Sequence, residues 1–402
     1  MAPGLFARRS SMRPSDPCRS HESGGLIGFD GKDGARSLER DEGPGGSRER
    51  HDAITRRDDI TTHPPAGRRT GPARRAVLVG MMLVAAKVEA APASAWKAWR
   101  QRFLQADGRV VDEGGGPDGK STSHSEGQGW GLLLAQAHGD RAAFEAIETW
   151  TRRHLLIRED ALMAWRGGDG RPTDWRSATD GDLFRAWALL RAARDSGWGG
   201  ARRAHAVAQA IAALCLAPDP RAADEPVLIP GAEWRPEGGR VPFNPSYVMP
   251  RALRELGMHA GLPSLVRAAD HGETLLSELA GRPLPDWVAI GAAGPAPLPG
   301  KALVSGYDAL RVPLYLSWSG IPDHPAAIRG MRDLLDGAWP GHAVVGRSAD
   351  GQPTAQSNHA GFRSVARLAG GGRVAPDGPT IAAQPYYPAT LHMLAAVASR
   401  ES

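Results

Sequence analysis

The sequence predicts an all-α protein. Apolar residues recur at helical spacing from Trp96 to the C-terminus, no run of alternating apolar and polar residues indicates a strand, and Gly- and Pro-rich segments separate the helical stretches. About a dozen helices joined by long polar loops that carry aromatic residues favour a barrel of helical hairpins with its site at one end. Periodicity alone does not determine whether such a barrel closes.

Apolar spacing predicts the helices one by one. Trp96, Trp99 and Phe103 lie at positions i, i+3 and i+7, which places them on one face of a first helix. A second, amphipathic helix begins near Glu126, and the apolar run that starts at Trp130 holds it in the core. Similar spacing predicts further helices over 141–154, 182–194, 201–216, 246–258, 265–279, 326–335 and 387–398.

The net charge of +5 is distributed unevenly along the chain. Residues 1–67 carry 11 basic and 11 acidic side chains, 68–95 carry five basic and one acidic, and 96–402 carry 33 basic and 32 acidic. The basic excess therefore lies in a leader rather than in the main domain. Nothing in the charge of 96–402 indicates a nucleic-acid partner.

Residues 68–95 have the organisation of a signal peptide. Four arginines precede an apolar stretch over 76–86, which is too short to cross a bilayer as a helix, and small residues follow it. Cleavage is expected after Ala91, Ala93 or Ala95; an uncleaved membrane anchor is the competing interpretation. We therefore expect a secreted or periplasmic protein that keeps no stable membrane span after cleavage.

The chain thus divides into an N-terminal extension, a leader and one catalytic domain over 96–402. Residues 1–67 are rich in Gly, Arg, Asp and Ser and lack apolar periodicity, which indicates disorder or a start codon assigned too far upstream. Cys18 lies in this extension and leaves Cys215 alone in the domain, so no disulfide is expected.

The segment 121–137, STSHSEGQGWGLLLAQA, places Glu126 among small residues at the start of a helix. The pKa of a carboxyl group set against packed apolar groups rises, so such a group can carry a proton near neutral pH, as a general acid must. The alternative is a glutamate that interacts only with the helix dipole, which is common.

A second segment, SATDGDLFRAWALL over 177–190, places Asp180 and Asp182 where a helix begins. Two aspartates around a glycine, with tryptophans on both sides, suit hydrogen bonding to sugar hydroxyls. Either aspartate could instead be an N-cap. A calcium loop is not expected, because the spaced oxygen ligands and the distal glutamate are missing.

A third segment, VSGYDALRVPLYLSW over 304–318, places Asp308 three residues before Arg311. A neighbouring guanidinium keeps a carboxylate ionised, as a base or a nucleophile requires. The alternative is a purely structural ion pair. The chain is also unusual in having 12 Trp against 7 Phe and 5 Tyr, and indole faces that do not fill the core can stack on sugar rings.

Together these segments resemble glycoside hydrolase family 8. The motifs STSHSEGQG, ATDGD, FNPSY, PDWV, SGYDALRVP and QPYYPATLHML occur in the family's order and span almost all of 96–398. The resemblance implies an (α/α)6 barrel of six inner and six outer helices that hydrolyses β-1,4-glucan internally with inversion. It is nearest to the secreted or periplasmic endoglucanases of bacterial cellulose synthesis, which implies a monomer with the cellulose synthase apparatus as a possible partner.

The resemblance assigns roles to residues of this sequence. Glu126 matches the general acid, Asp308 the general base, and Asp180 the residue that grips the sugar at the cleavage point. Inversion then requires the two catalytic carboxyls to lie roughly 6.5–9.5 Å apart. The same comparison places substrate-binding residues at Trp165, Tyr247, Trp287, Arg311 and Trp130.

The sequence departs from the family pattern at three positions. Trp130 replaces a tyrosine, which predicts an altered subsite; Arg185 replaces Ile or Met, and Ser196 replaces an aromatic residue. No metal or other cofactor is implied, because His124 and His138 are expected to be isolated and solvent-facing.

Substrate identity stays open on the sequence. Chitosan, mixed-linkage glucan (the lichenase reaction) and xylan are alternatives on the same fold. A non-hydrolytic glucan-binding protein is an alternative from another class, against which the presence of both Glu126 and Asp308 argues.

Overall fold

The computed structural model describes residues 92–114, 121–168 and 171–402. The helices in these ranges are α1 (92–103), α2 (Ser125–Ala137), α3 (Arg141–His154), α4 (Thr179–Asp195), α5 (Ala201–Leu214), α6 (Pro250–Ala260), α7 (Pro263–Leu279), α8 (Val312–Trp318), α9 (Pro325–Leu335), α10 (Ala360–Ala369), α11 (Gly378–Ala382) and α12 (Tyr386–Glu401). Two 3₁₀ turns, Pro245–Tyr247 and Ala309–Arg311, precede α6 and α8.

The described strands are short: β1 (Ser123–His124), β2 (Arg166–Gly168), β3 (Arg171–Asp174), β4 (Leu216–Asp219), β5 (Ala222–Leu228), β6 (Val241–Phe243), β7 (Val288–Gly291), β8 (Gly294–Ala296), β9 (Ala343–Arg347) and β10 (Pro353–Ser357). They form four antiparallel sheets, β1-β2-β3, β4-β5, β6-β7-β8 and β9-β10. The sequence did not predict them, because strands of two to seven residues are too short to show a reliable period of two.

The even-numbered helices form a closed inner ring. Each of α2, α4, α6, α8 and α10 packs against the next even-numbered helix, and α12 packs against α2. The outer helices α3, α5, α7 and α9 each pack against the inner helix that precedes them. The predicted barrel is therefore confirmed, and it closes.

Burial separates the inner helices from the outer ones. In α2 every residue except Glu126 and Ala137 is buried, and in α4 the residues from Thr179 to Ala192 are all buried. By contrast, α3 and α5 bury one face only. The prediction that α2 is amphipathic is therefore wrong, because an inner helix is covered by neighbours on all sides.

Two glycines allow α2 and α4 to approach closely. A Cβ atom on Gly181 would lie 2.3 Å from Ser125 Oγ and 2.7 Å from the backbone nitrogen of Glu126. A Cβ atom on Gly129 would lie 2.9 Å from Phe184 Cβ. Glycine at these positions therefore brings the N-terminus of α4 next to Glu126.

Several predicted boundaries shift where local chemistry overrides apolar spacing. The stretch 246–258 divides into the Pro245–Tyr247 turn and α6, since Pro250 starts a new helix. The stretch 201–216 ends at Leu214, and Leu216 then pairs with Leu228 in a hairpin. Helix α4 begins at Thr179 with Ala178 as its N-cap, so neither aspartate of the ATDGD motif is an N-cap.

The predicted extension 1–67 and nearly all of the predicted signal segment 68–95 lie outside the described residues. Residues 92–95 belong to α1, where Ala95 is fully buried and the Gly378 N–H donates to Ser94 Oγ at 3.3 Å. Cys215 is buried and free, as expected. Among the described helices, none is both long and apolar enough to cross a membrane.

Candidate active site

The residues predicted to act together meet at the N-terminal ends of the inner helices. Glu126 and Asp180 are the second residues of α2 and α4, Tyr247 lies just before α6, and Asp308 and Arg311 lie just before α8. Because inner and outer helices alternate along the chain, the inner helices run in one direction and their N-termini share one end of the barrel. The positive ends of their dipoles favour anionic groups there.

Arg311 lies at the centre of this cluster and is almost fully buried. Its Nη1 contacts the carboxylate of Glu126 and lies 3.5 Å from Asp180 Oδ2, while its Nη2 contacts the carboxylate of Asp308. The predicted Asp308–Arg311 pair therefore exists, and the same guanidinium also reaches the other two carboxyls. One cation faces three acidic side chains.

Asn244 and Ser246 orient Arg311, and the sequence analysis did not single them out. Arg311 Nη2 donates to Ser246 Oγ at 2.6 Å, and this hydroxyl donates to Asn244 Oδ1 at 2.7 Å. The Ser246 backbone N–H also donates to Asn244 Oδ1, at 3.0 Å. The FNPSY motif contained the signal, because an asparagine two residues before a serine forms this local turn.

The carboxyls differ in exposure and in protonation. Burial raises the pKa of Asp180 to about 7, against hydrogen bonds from the Gly181 backbone and the Tyr247 side chain that lower it. Burial and the charge of Asp180 raise the pKa of the Tyr247 hydroxyl, which therefore remains a donor. The side chain of Asp308 is 29% exposed, against 13% for Glu126 and 5% for Asp180, so water reaches Asp308 most easily.

Burial raises the pKa of Asp308 well above its usual range, and the charges of Asp286 and Asp180 raise it further. Side-chain donors Asn244 and Trp287 oppose this shift because they favour the ionised carboxylate. Asp286 is a further acidic group that the sequence analysis missed. It belongs to the PDWV motif, whose tryptophan alone was predicted to matter.

Three aromatic side chains, Trp234, Trp287 and Tyr247, pack together beside Asp308. Trp287 stacks on Trp234 with ring centroids 5.2 Å apart and an interplanar angle of 27°, and Tyr247 meets Trp287 edge-on at 6.2 Å. Lys301 Nζ lies 4.7 Å from the centroid of Trp287. Tyr247 and Trp287 thus lie in the cluster as predicted, and Trp234 joins them from outside the predicted set.

A family model described as "Glycosyl hydrolases family 8" matches residues 71–400. The chain belongs to glycosyl hydrolase family 8. Its fold and the SEGQG, ATDGD and YDALR motifs were assigned to this family from the sequence, and that assignment is confirmed.

Curated relatives in family 8 are named endoglucanases. The endoglucanase of Cellulomonas uda is 35% identical over 233 residues, which are 56% of this chain and 63% of that protein. The probable endoglucanase of Novacetimonas hansenii is 36% identical over 248 residues, 57% of this chain and 68% of that protein. The matched region thus spans about two thirds of the length of these relatives.

Solved structures of family 8 enzymes have the same fold. The endoglucanase of Klebsiella pneumoniae superposes with a TM-score of 0.67 at 27% identity, over 76% of this chain and 99% of that chain. The endo-β-1,4-glucanase of Acetobacter xylinum gives a TM-score of 0.65 at 28% identity, over 77% and 98%. The barrel of this chain is therefore the (α/α)6 barrel of family 8.

Two other predicted substrate-binding tryptophans take different positions. Trp165 is partly exposed, its carbonyl accepts the Ser125 N–H at 2.8 Å, and the Arg166 guanidinium lies 4.2 Å from its ring centroid. Trp130, which replaces the tyrosine of the family 8 pattern, has no exposed surface. Its ring centroid lies 5.9 Å from Arg311 Cζ. Trp130 therefore packs against the guanidinium and presents no open face to a sugar.

The other departures from the family 8 pattern lie in the packing between helices. Arg185 is buried and donates two hydrogen bonds, of 3.0 and 2.8 Å, to the carboxylate of Glu148 in α3. Ser196 Oγ accepts a hydrogen bond from Gln136 Nε2 at 3.2 Å. Both changes are accommodated away from the three carboxyls.

The two histidines are not solvent-facing as predicted. His124 is buried and caps α2, since its Nδ1 accepts the Gly127 N–H at 3.0 Å. His138 is half-buried and stacks on Trp96, and burial lowers its pKa to about 4. In the part of the chain that the structure describes, no three His, Cys, Asp or Glu side chains are grouped as metal ligands.

Proposed function

We propose that this family 8 protein is an inverting endo-glycosidase that hydrolyses β-1,4-glucan, with Glu126 as general acid and Asp308 as general base. The observation that carries the proposal is the convergence of both carboxyls on Arg311 at the end of the barrel where the inner helices begin. The endoglucanase names of the relatives support the substrate.

The acid step requires a proton near neutral pH. One guanidinium cannot neutralise three carboxyls, so the cluster of Glu126, Asp180 and Asp308 retains protons that its members share. Burial acts in the same direction, because it raises the pKa of Asp180 to about 7. Glu126 passes a shared proton to the glycosidic oxygen as the bond to the leaving sugar breaks.

The base step requires an ionised carboxylate that water can reach. Asp308 is the most exposed of the three carboxyls, and Arg311, Asn244 and Trp287 stabilise its ionised form against the burial and the acidic neighbours that raise its pKa. Asp308 removes a proton from a water molecule as the oxygen of that water attacks the anomeric carbon from the face opposite the leaving group. The configuration at that carbon is therefore inverted.

Asp180 and Tyr247 hold the sugar whose bond is broken. Their side chains are hydrogen-bonded to each other, and hydroxyl groups of the sugar ring can replace that bond. Trp234, which stacks on the buried Trp287, and Trp165 are both partly exposed and offer aromatic surface for the neighbouring rings.

The proposal is tested with purified 92–402 and the variants Glu126→Gln and Asp308→Asn on carboxymethylcellulose. Loss of viscosity is measured against released reducing ends. We expect a steep viscosity loss with few reducing ends in the wild type, and a loss of at least about 10²-fold in rate in each variant. Full activity in Asp308→Asn would show that another group is the base.

Chitosan, mixed-linkage glucan and xylan are assayed in parallel, because the carboxyls and aromatic side chains of the cluster do not discriminate among these polymers. Binding to cellulose without any released reducing ends would favour the glucan-binding protein instead. The retained acid and base argue for hydrolysis.

We further propose that the protein is exported, and that it acts as a monomer with the cellulose synthase apparatus as a possible partner. The signal-like composition of 68–95 supports export, and burial of Ala95 in the domain favours cleavage after Ala91 or Ala93 over cleavage after Ala95. N-terminal sequencing of the exported protein tests this, and a mature chain that retains Arg36 would contradict it.

A further inference from the structure

We propose that Asp286 is a positioning residue for the general base: its carboxylate holds the 306–309 loop in place and strengthens Asp308 as a base through its negative charge. This inference rests on the proposed role of Asp308. It adds a fourth acidic residue to the cluster, one to which neither the resemblance nor the proposed catalytic mechanism assigns a role.

The first support is the set of hydrogen bonds at Asp286. The backbone N–H groups of Gly306 and Ala309 each donate to Asp286 Oδ1 at 2.8 Å, and the Asp308 N–H contacts the same carboxyl. A single carboxylate therefore binds the backbone on both sides of Asp308. Its own backbone N–H donates to the Val304 carbonyl at 2.8 Å, which ties the two segments together.

The second support is the close fit of the loop against this carboxylate. A Cβ atom on Gly306 would lie 2.7 Å from Asp286 Oδ2, so only glycine lets the loop come this near without a shift. The next residue, Trp287, donates toward the side chain of Asp308. Asp286 and Trp287 thus fix the backbone and the carboxyl group of the base, respectively.

The third support is the electrostatic setting of Asp308. The groups that face it are Arg311 from its own segment, Asp180 from α4, Lys301 from the loop after β8, Tyr247 from the turn before α6, Tyr387 from α12, and Asp286. Arg311 and Lys301 stabilise the ionised form, whereas Asp180 and Asp286 destabilise it. The negative charge of Asp286 is thus one of the two that raise the pKa of Asp308, and a higher pKa makes a stronger base.

The ionisation of Asp286 determines whether its charge acts on Asp308. Burial raises its pKa to about 6, and the three backbone donors oppose that rise. Above this value it carries the charge that acts on Asp308. The two groups titrate as a coupled pair.

Asp286→Asn separates charge from geometry, because the amide oxygen still accepts from Gly306 and Ala309 while the charge is gone. The titration of Asp308 is followed by carbon-13 NMR of aspartate carboxyl carbons and assigned by its absence in Asp308→Asn. We expect the midpoint of Asp308 to fall by about one pH unit in Asp286→Asn. In the pH profile of kcat/KM on carboxymethylcellulose, the acid limb should move to lower pH by the same amount. On the plateau of the profile, kcat should be reduced and KM unchanged.

The matched control is Asp377→Asn, since Asp377 also accepts a backbone N–H, from Thr380 at 2.7 Å, but it is the N-cap of α11 and is not part of the cluster around Asp308. It should leave the Asp308 midpoint unchanged. An unshifted midpoint in a folded Asp286→Asn variant would overturn the inference.

Two further measurements keep the inference testable if Asp286→Asn does not fold or if the proposed function is wrong. In the wild type, the Asp308 signal should show a second inflection where Asp286 ionises, and its absence would also overturn the inference. Asp286→Glu keeps the charge and should retain a raised midpoint with a lower kcat. The NMR result does not depend on hydrolysis, so an inactive wild type would refute the proposed function while the coupling could still be read.

Discussion

At the scale of single residues, the site depends on one arginine shared by several acids. The fork of Arg311 reaches Glu126, Asp308 and Ser246 at the same time, and a lysine could offer only a point charge there. The sequence predicted each of these acids from its local segment. It could not predict that a single guanidinium joins them, because α2 and α8 stand on opposite sides of the ring and their N-termini meet only once the barrel has formed.

Arg311→Lys should therefore lower kcat on β-glucan by roughly 10²-fold with a smaller change in stability, because the fork that orients both carboxyls is lost. Initial rates and thermal unfolding measure the two effects. Arg221→Lys is the control, since Arg221 pairs bidentately with Asp219 outside the cluster. An Arg311→Lys variant with wild-type kcat would contradict the shared role of Arg311.

The histidines show where residue-level prediction failed. His124 and His138 have ordinary surface sequence contexts, yet one caps α2 and the other packs on Trp96. Nothing in a single sequence reports that an inner helix is covered on all sides, so burial of its flanking residues was missed. Asp286 was missed because its hydrogen-bond partners lie about 20 residues further along the chain, and a single sequence does not show that the two segments meet.

The buried histidines make stability depend on pH. The pKa values of His138 and His392 are lowered to about 4 by burial, whereas an unfolded histidine titrates near 6.5. The unfolded state then binds more protons between these values, so stability is complete above pH 6.5 and falls as pH drops towards 4. For each histidine, the loss in the free energy of unfolding between pH 6.5 and pH 4 is on the order of 3 kcal/mol.

Urea unfolding at pH 7.5 and pH 4.5 tests this. The wild type should lose stability at the lower pH, and His138→Gln should lose distinctly less. His259→Gln, at an exposed position on α6, should behave like the wild type. An equal pH dependence in His138→Gln and the wild type would show that His138 does not titrate as expected.

At the scale of elements, the approach of α2 to α4 determines where Glu126 lies relative to Asp180. The helices themselves followed from apolar spacing, and α3 was predicted at its observed bounds. The closeness of α2 and α4 did not follow, although the glycines that permit it are visible in SEGQG and ATDGD. Reading them as packing glycines requires knowing which helices are neighbours.

Gly181→Ala should push these helices apart, because its Cβ atom would overlap Ser125 and the backbone of Glu126. We expect a loss of about 1–3 kcal/mol in the free energy of unfolding and a large loss of activity. Gly281→Ala is the control, as a Cβ atom there meets nothing within 4 Å. Wild-type activity in Gly181→Ala would show that the close approach is not needed.

At the scale of the whole molecule, the arrangement of the inner helices indicates the direction in which a substrate chain crosses the barrel. Helices α4 and α10 stand three positions apart in a ring of six and are therefore on opposite sides. Trp175 precedes α4 and Trp339 lies between α9 and α10, and both are unusually exposed, at 61% and 64%. Arg158 donates to the Trp175 carbonyl at 2.8 Å, and the Trp339 N–H donates to Gln356 Oε1 at 2.7 Å, so both loops are anchored.

We therefore expect a glucan chain to cross the barrel mouth between these two indole rings, with the carboxyls between them. Trp175→Ala and Trp339→Ala should each raise KM for carboxymethylcellulose by a factor of about 5–30, from the loss of one stacking contact, and leave kcat on short cello-oligosaccharides unchanged. Met258→Ala, which removes a side chain 69% exposed on α6, is the control. Equal KM values for all three variants and the wild type would contradict this path.

We propose that Glu126 and Asp308 hydrolyse a β-1,4 bond in one step with inversion. Proton NMR of the anomeric signals during the first minutes of cello-oligosaccharide cleavage, before mutarotation, tests this proposal. The new reducing end should appear first as the α-anomer. Initial appearance of the β-anomer would mean retention through a covalent intermediate, and would contradict the assignment of Asp308 as a base acting on water.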